Sequence, residues 1–210
     1  MGTTGGRGID VSHYQGTINW AGVAADGTEF AMIKASEGES SPDPMFLSNW
    51  AGCKNNSVKC GAYHYFLPTD CFLKQADLLI QQLRSAGYDP TADLPPAIDC
   101  EDMEGVSAST YIYALKELLQ SLKTQLKCNP MIYVSPAFWQ GLGSPDFSDN
   151  PLWVANYTTA SAPEIPSPWK TYAIWQYSDD GTVGGIAGDV DLDLSNPAAG
   201  VSPEPKLNWF

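Results

Sequence analysis

Leu94-Pro-Pro-Ala-Ile-Asp-Cys-Glu-Asp102 is a short apolar run that follows a proline pair and ends in acids. Its β-compatible residues read as a buried strand over 97–101. Side chains two apart on a strand share a face, so Asp99 and Glu101 project together and Cys100 points away. Two carboxyls held that close do not both ionise cheaply, and each raises the pKa of the other. One of them then keeps a proton near neutral pH, which suits a general acid for cleaving an acetal. An isolated Asp-x-Glu is more often a solvated acidic loop at a strand end, so the surroundings must decide.

Directly after this strand comes a long helical pattern over 107–127. Leu115, Leu118, Leu119, Leu122 and Leu126 face inward, and Ser107 stands at the N-cap position. A further strand follows over 131–135. The same alternation extends outward in both directions. Strands are predicted over 8–12, 30–35, 61–66, 152–157, 172–177 and 190–194. A second helical stripe runs through Phe72, Ala76, Leu79, Ile80 and Leu83, and weaker helices fit 20–25, 45–54 and 137–142. The first five strands are each followed by a helix and the last three are not, because Pro, Gly, Ser and Asp fill the connections after Gly143. Strand–helix alternation favours a parallel sheet, and eight strands suggest closure into a barrel. The expected fold is therefore α/β, an irregular TIM-like (β/α)5(β)3 barrel in a single domain over residues 7–196. Residues 1–6 read as an N-terminal extension and 197–210 as a tail.

The chain has 210 residues, enough for one sizeable core, with 7 Trp, 10 Tyr and 7 Phe. A net charge of −13 argues against nucleic acid or an anionic membrane as partner. No stretch is apolar enough to span a bilayer, and residues 1–6 lack the charged and apolar regions of a signal peptide. Five cysteines without a C-x-x-C spacing, and only two histidines, make a zinc site improbable. Cys53 and Cys60 bracket a short polar segment and are expected to form a disulfide if the protein matures outside the cell. Five free thiols in a reducing compartment is the alternative. Cys100 and Cys128 would meet if neighbouring strands carry them.

Active groups of a barrel gather at the C-terminal ends of its strands. That rule selects Asp10, Glu37, His64, Tyr65, Asp99, Glu101, Tyr133, Tyr157, Gln176 and Asp191. Acids mixed with aromatic rings suit a sugar-cleaving cleft, since sugars offer apolar faces for stacking and hydroxyls that need acceptors. His64 alternates with Tyr63 and Tyr65 and reads as a satisfied structural histidine. Lys34 reads as a buried ion-pair partner for a cleft acid. Trp139, Trp153 and Trp175 read as core, whereas Tyr65, Tyr133 and Tyr157, whose hydroxyls need a polar partner, are the better candidates for sugar contact.

The opening Gly8-Ile-Asp-Val-Ser-His-Tyr-Gln-Gly16, followed by Ile18-Asn-Trp20, resembles that of the Chalaropsis-type lysozymes of glycoside hydrolase family 25. Phe30-Ala-Met-Ile-Lys-Ala-Ser-Glu-Gly38, Gly61-Ala-Tyr-His-Tyr-Phe66 and Ala97-Ile-Asp-Cys-Glu101 follow in that family's order. So do Leu152-Trp-Val-Ala-Asn-Tyr157, Ile174-Trp-Gln-Tyr-Ser178 and Val190-Asp-Leu192. The resemblance implies an N-acetylmuramidase, a secreted monomer acting on peptidoglycan glycan strands without metal or cofactor. It places Glu101 as general acid, Asp99 as its paired acid, and Asp10 and Asp191 as two further cleft acids. Lys34, Tyr65, Tyr133, Tyr157 and Gln176 are taken as substrate-binding. Cys100 and Asp193 depart from the family pattern, the latter standing where Asn is common. Asp99, on the same strand as Glu101, is badly placed to attack from the opposite face. Retention through the substrate's own acetamido oxygen is therefore expected, with inversion as the alternative. A chitinase-like hydrolase and a non-catalytic glycan-binding module are the rival readings.

Overall fold

Alternation along each strand separates the apolar side chains into two sets, and the two sets build two cores. In the computed structural model, which describes residues 5–197, Phe30, Met32, Met131, Tyr133, Trp153 and Ile174 form a cluster on the inner face. Ile9, Val11, Ile33, Ile98, Ile132 and Val134 face outward onto the helices, in a larger cluster with Leu79, Leu83, Leu115 and Leu118. Residues 1–4 and 198–210, most of the expected extension and tail, lie outside the described residues.

The strands are β1 (Arg7–Val11), β2 (Phe30–Glu37), β3 (Ser41–Pro42), β4 (Lys59–Tyr65) and β5 (Ala97–Asp99). They continue with β6 (Met131–Val134), β7 (Leu152–Ala155), β8 (Ile174–Gly181) and β9 (Val190–Ser195). Eight of them close in the order β1-β9-β8-β7-β6-β5-β4-β2, with β1 also paired to β2. The two-residue β3 folds back on the end of β2. Helices α1 (Trp20–Ala25), α2 (Phe46–Asn55), α3 (Phe72–Ala86), α4 (Ala108–Leu126) and α5 (Pro136–Gly141) fill the earlier connections, and among the described residues none follows β7, β8 or β9. The irregular (β/α)5(β)3 barrel is thus the observed fold. Ser107 caps α4, its side chain accepting from the Thr110 backbone N–H.

Three features differ from the sequence reading. The sheet is not wholly parallel, because β9 runs antiparallel to both β8 and β1. Its connection, residues 182–189, is shorter than the dozen or so residues that a parallel crossover requires. Strand β5 stops at Asp99, so Glu101 lies in the segment that leaves the strand. Strand β2 is longer than expected and carries a bulge between Lys34 and Ser36. The extra residue switches the alternation, so that Lys34 and Glu37, which a regular strand would put on opposite faces, both face inward.

The expected Cys53–Cys60 disulfide is corrected by the structure, which holds all five cysteines as free thiols. Cys53 at the end of α2 and Cys60 at the start of β4 are buried against each other. Each thiol donates to the Val58 carbonyl, at 3.3 and 3.6 Å. The sulfurs act here as small apolar packing groups with weak donors. Cys100 and Cys128 do not meet either, since Cys128 contacts Tyr88 Oη at 3.7 Å while Cys100 lies by Tyr111.

Inside the barrel, Gly8 gives room to Phe30. A Cβ at Gly8 would sit 2.1 Å from that ring. No helix among the described residues is long and apolar enough to cross a membrane.

Candidate active site

The parallel strands deliver inward-facing residues near their C-terminal ends to one mouth. Asp10 comes from β1, Lys34 from β2, Tyr63 and Tyr65 from β4, and Asp99 from β5. Tyr133, Trp153 and Gln176 follow from β6, β7 and β8. Because β9 is reversed, its second residue, Asp191, reaches the same mouth and pairs in register with Asp10. A cleft of about 170 Å³ opens there, bounded by Asp10 and Asp191 on one side and Asp99 and Glu101 on the other. In the closed order, β9 lies four strands from β5 in either direction, which puts the two acid groups on opposite walls.

On the β5 wall, Asp99 is 6% exposed whereas Glu101 projects into solvent. Burial first, then the adjacent Glu101 carboxyl, pushes Asp99 well above the ordinary carboxylate range. Asp99 therefore keeps its proton to higher pH than an ordinary carboxyl does, and its Oδ1 has no hydrogen-bond partner. Lys34 opposes the upward shift of Asp99 by its charge. Its ammonium is bonded to Glu37 at 2.6 Å and lies 5.1 Å from the centre of the Tyr65 ring. The ion pair expected of Lys34 is thus made with Glu37 and with none of the four acids assigned to catalysis. Burial and Asp99 raise the Tyr65 hydroxyl to about 12.

On the opposite wall, Gln176 donates through Nε2 to Asp10 Oδ2 at 2.7 Å. Gln176 Oε1 in turn accepts from Tyr133 Oη at 2.8 Å and Tyr157 Oη at 2.7 Å. These two hydroxyls, expected to meet sugar, are committed to orienting Gln176. Tyr133 lines the cleft although it is largely buried, whereas Tyr157 is half exposed and is not among the residues that line the cleft. Asp10 is raised well above its ordinary value by burial, then by Asp193 and Asp191. Asp191 is raised as well, burial again being the largest cause.

Trp153 forms the floor. Its ring meets Tyr133 edge-on at 4.6 Å and Tyr63 at 6.0 Å. Trp153 is buried in the inner core, as its place on the strand predicts, and it lines the cleft together with Tyr63. The two-residue period that joins Tyr63 to Tyr65 was the available signal for Tyr63. Tyr14 also lines the cleft while 81% exposed. It sits in a short 3-10 turn (His13–Gln15) locked by a capping box between Ser12 and Gln15. No spacing in the sequence pointed to it. His64 faces away, bonded to Ser36 at 2.8 Å and Gln75 at 3.0 Å, and burial lowers it to about 4. It is a satisfied, neutral structural histidine.

Among the described residues no group of three or more His, Cys, Asp or Glu is arranged to hold a metal ion. Carboxyls on two walls of an aromatic-floored cleft, at the C-terminal mouth of a barrel, define a glycoside hydrolase. Residues 9–186 match the sequence model of glycosyl hydrolases family 25, and the chain belongs to that family. It is 34% identical over 207 residues to Lysozyme M1 of Streptomyces globisporus, covering 94% of this chain and 70% of that protein. It is 31% identical over 203 residues to the N,O-diacetylmuramidase of Chalaropsis sp, covering 90% and 96%. Among solved structures, the bacterial lysozyme from Streptomyces coelicolor superposes with a TM-score of 0.82 at 34% identity, covering 93% of this chain and 94% of that one.

Proposed function

We propose that Glu101 is the general acid of a lysozyme that cleaves the β-1,4 bond between N-acetylmuramic acid and N-acetylglucosamine in peptidoglycan. The observation that carries the reading is the Asp99–Glu101 pair on one wall, one acid buried and one open to solvent. Glu101 can reach a glycosidic oxygen in the cleft, protonate it, and afterwards take the proton of the incoming water. Asp99 lies on the same side of the scissile bond, so it orients the substrate and does not attack it. The attacking atom is then the acetamido oxygen of the muramic acid residue, and the product retains its configuration.

A second reading has one observation in its favour. Asp191 stands on the strand opposite β5, where a base for direct attack by water, with inversion, would stand. Asp10 is the less suited partner because it is buried and held by Gln176.

The catalytic unit is the barrel, residues 7–196, acting as a monomer without a cofactor on glycan strands. Since that substrate lies outside the bacterial membrane, the enzyme works extracellularly and lyses bacteria. Turbidity of a bacterial cell suspension, followed by chromatography of the released fragments, tests the assignment. Falling turbidity with muramic acid at the new reducing ends supports it. New N-acetylglucosamine reducing ends favour a chitinase-like specificity, and binding without lysis favours a glycan-binding module.

A further inference from the structure

Below Asp10 and Asp191 lies an acid that the mechanism above does not use. Asp193 is 1% exposed and sits on the inner face of β9, in register with Gly8 of β1 and Gln176 of β8. Gly8 has no side chain, so the nearest inward group on β1 is Asp10. Trp153 donates its indole N–H to Asp193 Oδ1 at 2.8 Å. The second oxygen, Oδ2, is buried with no hydrogen-bond donor, and the carboxyl is in contact with that of Asp10. Asp10 Oδ2 already accepts from Gln176, and the Asp10 carboxyl also meets that of Asp191, which is only partly buried and can reach solvent. A bare carboxylate is costly to bury, and two facing carboxylates repel. One proton between Asp10 and Asp193 removes their mutual repulsion, leaves one buried charge in place of two, and supplies the donor that Asp193 Oδ2 lacks.

We propose that Asp193 is a positioning residue that shares one proton with Asp10, accepts the Trp153 indole N–H, and so fixes the Asp10 side chain and the cleft floor as one unit. The proposal deepens the lysozyme reading, and rests on it, because Asp10 and Trp153 border the sugar cleft. The groups facing Asp193 are Asp10 from β1, Asp191 from its own strand, Gln176 from β8 and Trp153 from β7. Arg7 projects from the other face of β1 and pairs with Asp26 at 3.5 Å. Burial is the first cause raising both Asp193 and Asp10. A raised carboxyl holds its proton more tightly in the folded protein than in the unfolded chain. Its contribution to stability is therefore complete in acid and declines as pH rises from about 4, the unfolded value, through the folded one.

Asp193→Asn and Asp193→Leu test this. The amide keeps an acceptor for Trp153 and a donor for Asp10 but has no proton to lose. The Tm of Asp193→Asn should therefore fall less with rising pH than that of the unaltered enzyme. Its kcat should stay close to that of the unaltered enzyme, whereas Asp193→Leu loses about tenfold in kcat with a smaller change in KM. Parallel Tm–pH curves for Asp193→Asn and the unaltered enzyme would overturn the shared proton. An Asn variant as slow as the Leu variant would overturn the positioning role. The Tm comparison needs no turnover, so it separates this proposal from the lysozyme reading, which fails instead if Glu101→Gln remains active.

Discussion

The two walls of the cleft use the same side-chain chemistry in opposite ways. On the β5 wall Asp99 is buried with an unpartnered oxygen, and Glu101 beside it faces water. On the β1–β9 wall Asp10 is held by Gln176, which is held by two tyrosine hydroxyls, and Asp193 lies beneath it. The first wall has an acid free to reach a leaving group, and the second is a braced framework. Burial sets a carboxyl's proton affinity, but hydrogen-bond partners decide whether it can move to do chemistry.

If that contrast holds, substitutions on the two walls should differ in magnitude. Glu101→Gln keeps the volume and removes the transferable proton, so kcat should fall on the order of 10²- to 10⁴-fold with unchanged circular dichroism. Lysis at the unaltered rate would break the contrast at its strongest point. Asp99→Asn should cost on the order of 10²-fold, because the orienting carboxyl and the shared proton are both lost. On the framework wall Tyr157→Phe removes one hydrogen bond to Gln176, a loss of about 1 kcal/mol or roughly fivefold in kcat/KM. If Tyr157→Phe were as damaging as Asp99→Asn, the tyrosine would be acting on the substrate itself.

The pH profile sharpens the same comparison. Asp99 is raised by burial and by Glu101, so it keeps its proton to higher pH than an ordinary carboxyl and loses it as pH rises further. Activity should follow a bell on the acidic side, falling above as that proton leaves and below as the ionised cleft carboxyls are protonated. A flat profile from acid to alkali contradicts a protonated carboxyl at the centre of the reaction. The smallest effect concerns the cysteines. All five are free, so a reducing agent should leave Tm unchanged, and thiol titration of the denatured protein should find every cysteine reactive. A drop in Tm on reduction would restore the Cys53–Cys60 bond.

The barrel and its acids were legible because they rest on short-range patterns. Close spacing in sequence put Asp99 and Glu101 on one wall, although the strand ends at Asp99 and its period does not reach Glu101, and strand–helix alternation followed by bare connections marked the five helices. What escaped was set by pairing and irregularity. The reversal of β9 depends on the length of one loop, and the bulge in β2 that joins Lys34 to Glu37 carries no signature in composition. The tyrosine hydroxyls turned toward Gln176 because side chains from three strands converge there, which no local spacing encodes. Trp153 is core and cleft floor at once, since the inner face of a barrel strand serves as both.

If both acids of the pair act from one side while the substrate supplies the nucleophile, the first-formed product must keep the anomeric configuration of the bond that was cut. Glycan strands of peptidoglycan are digested in an NMR tube, in parallel with chemically de-N-acetylated strands. The acetylated strands should yield a β-configured reducing end before mutarotation, and the de-N-acetylated ones should be cleaved far more slowly. An α-configured first product, or equal cleavage of both substrates, would contradict attack by the substrate and assign it to a water activated from the Asp191 wall.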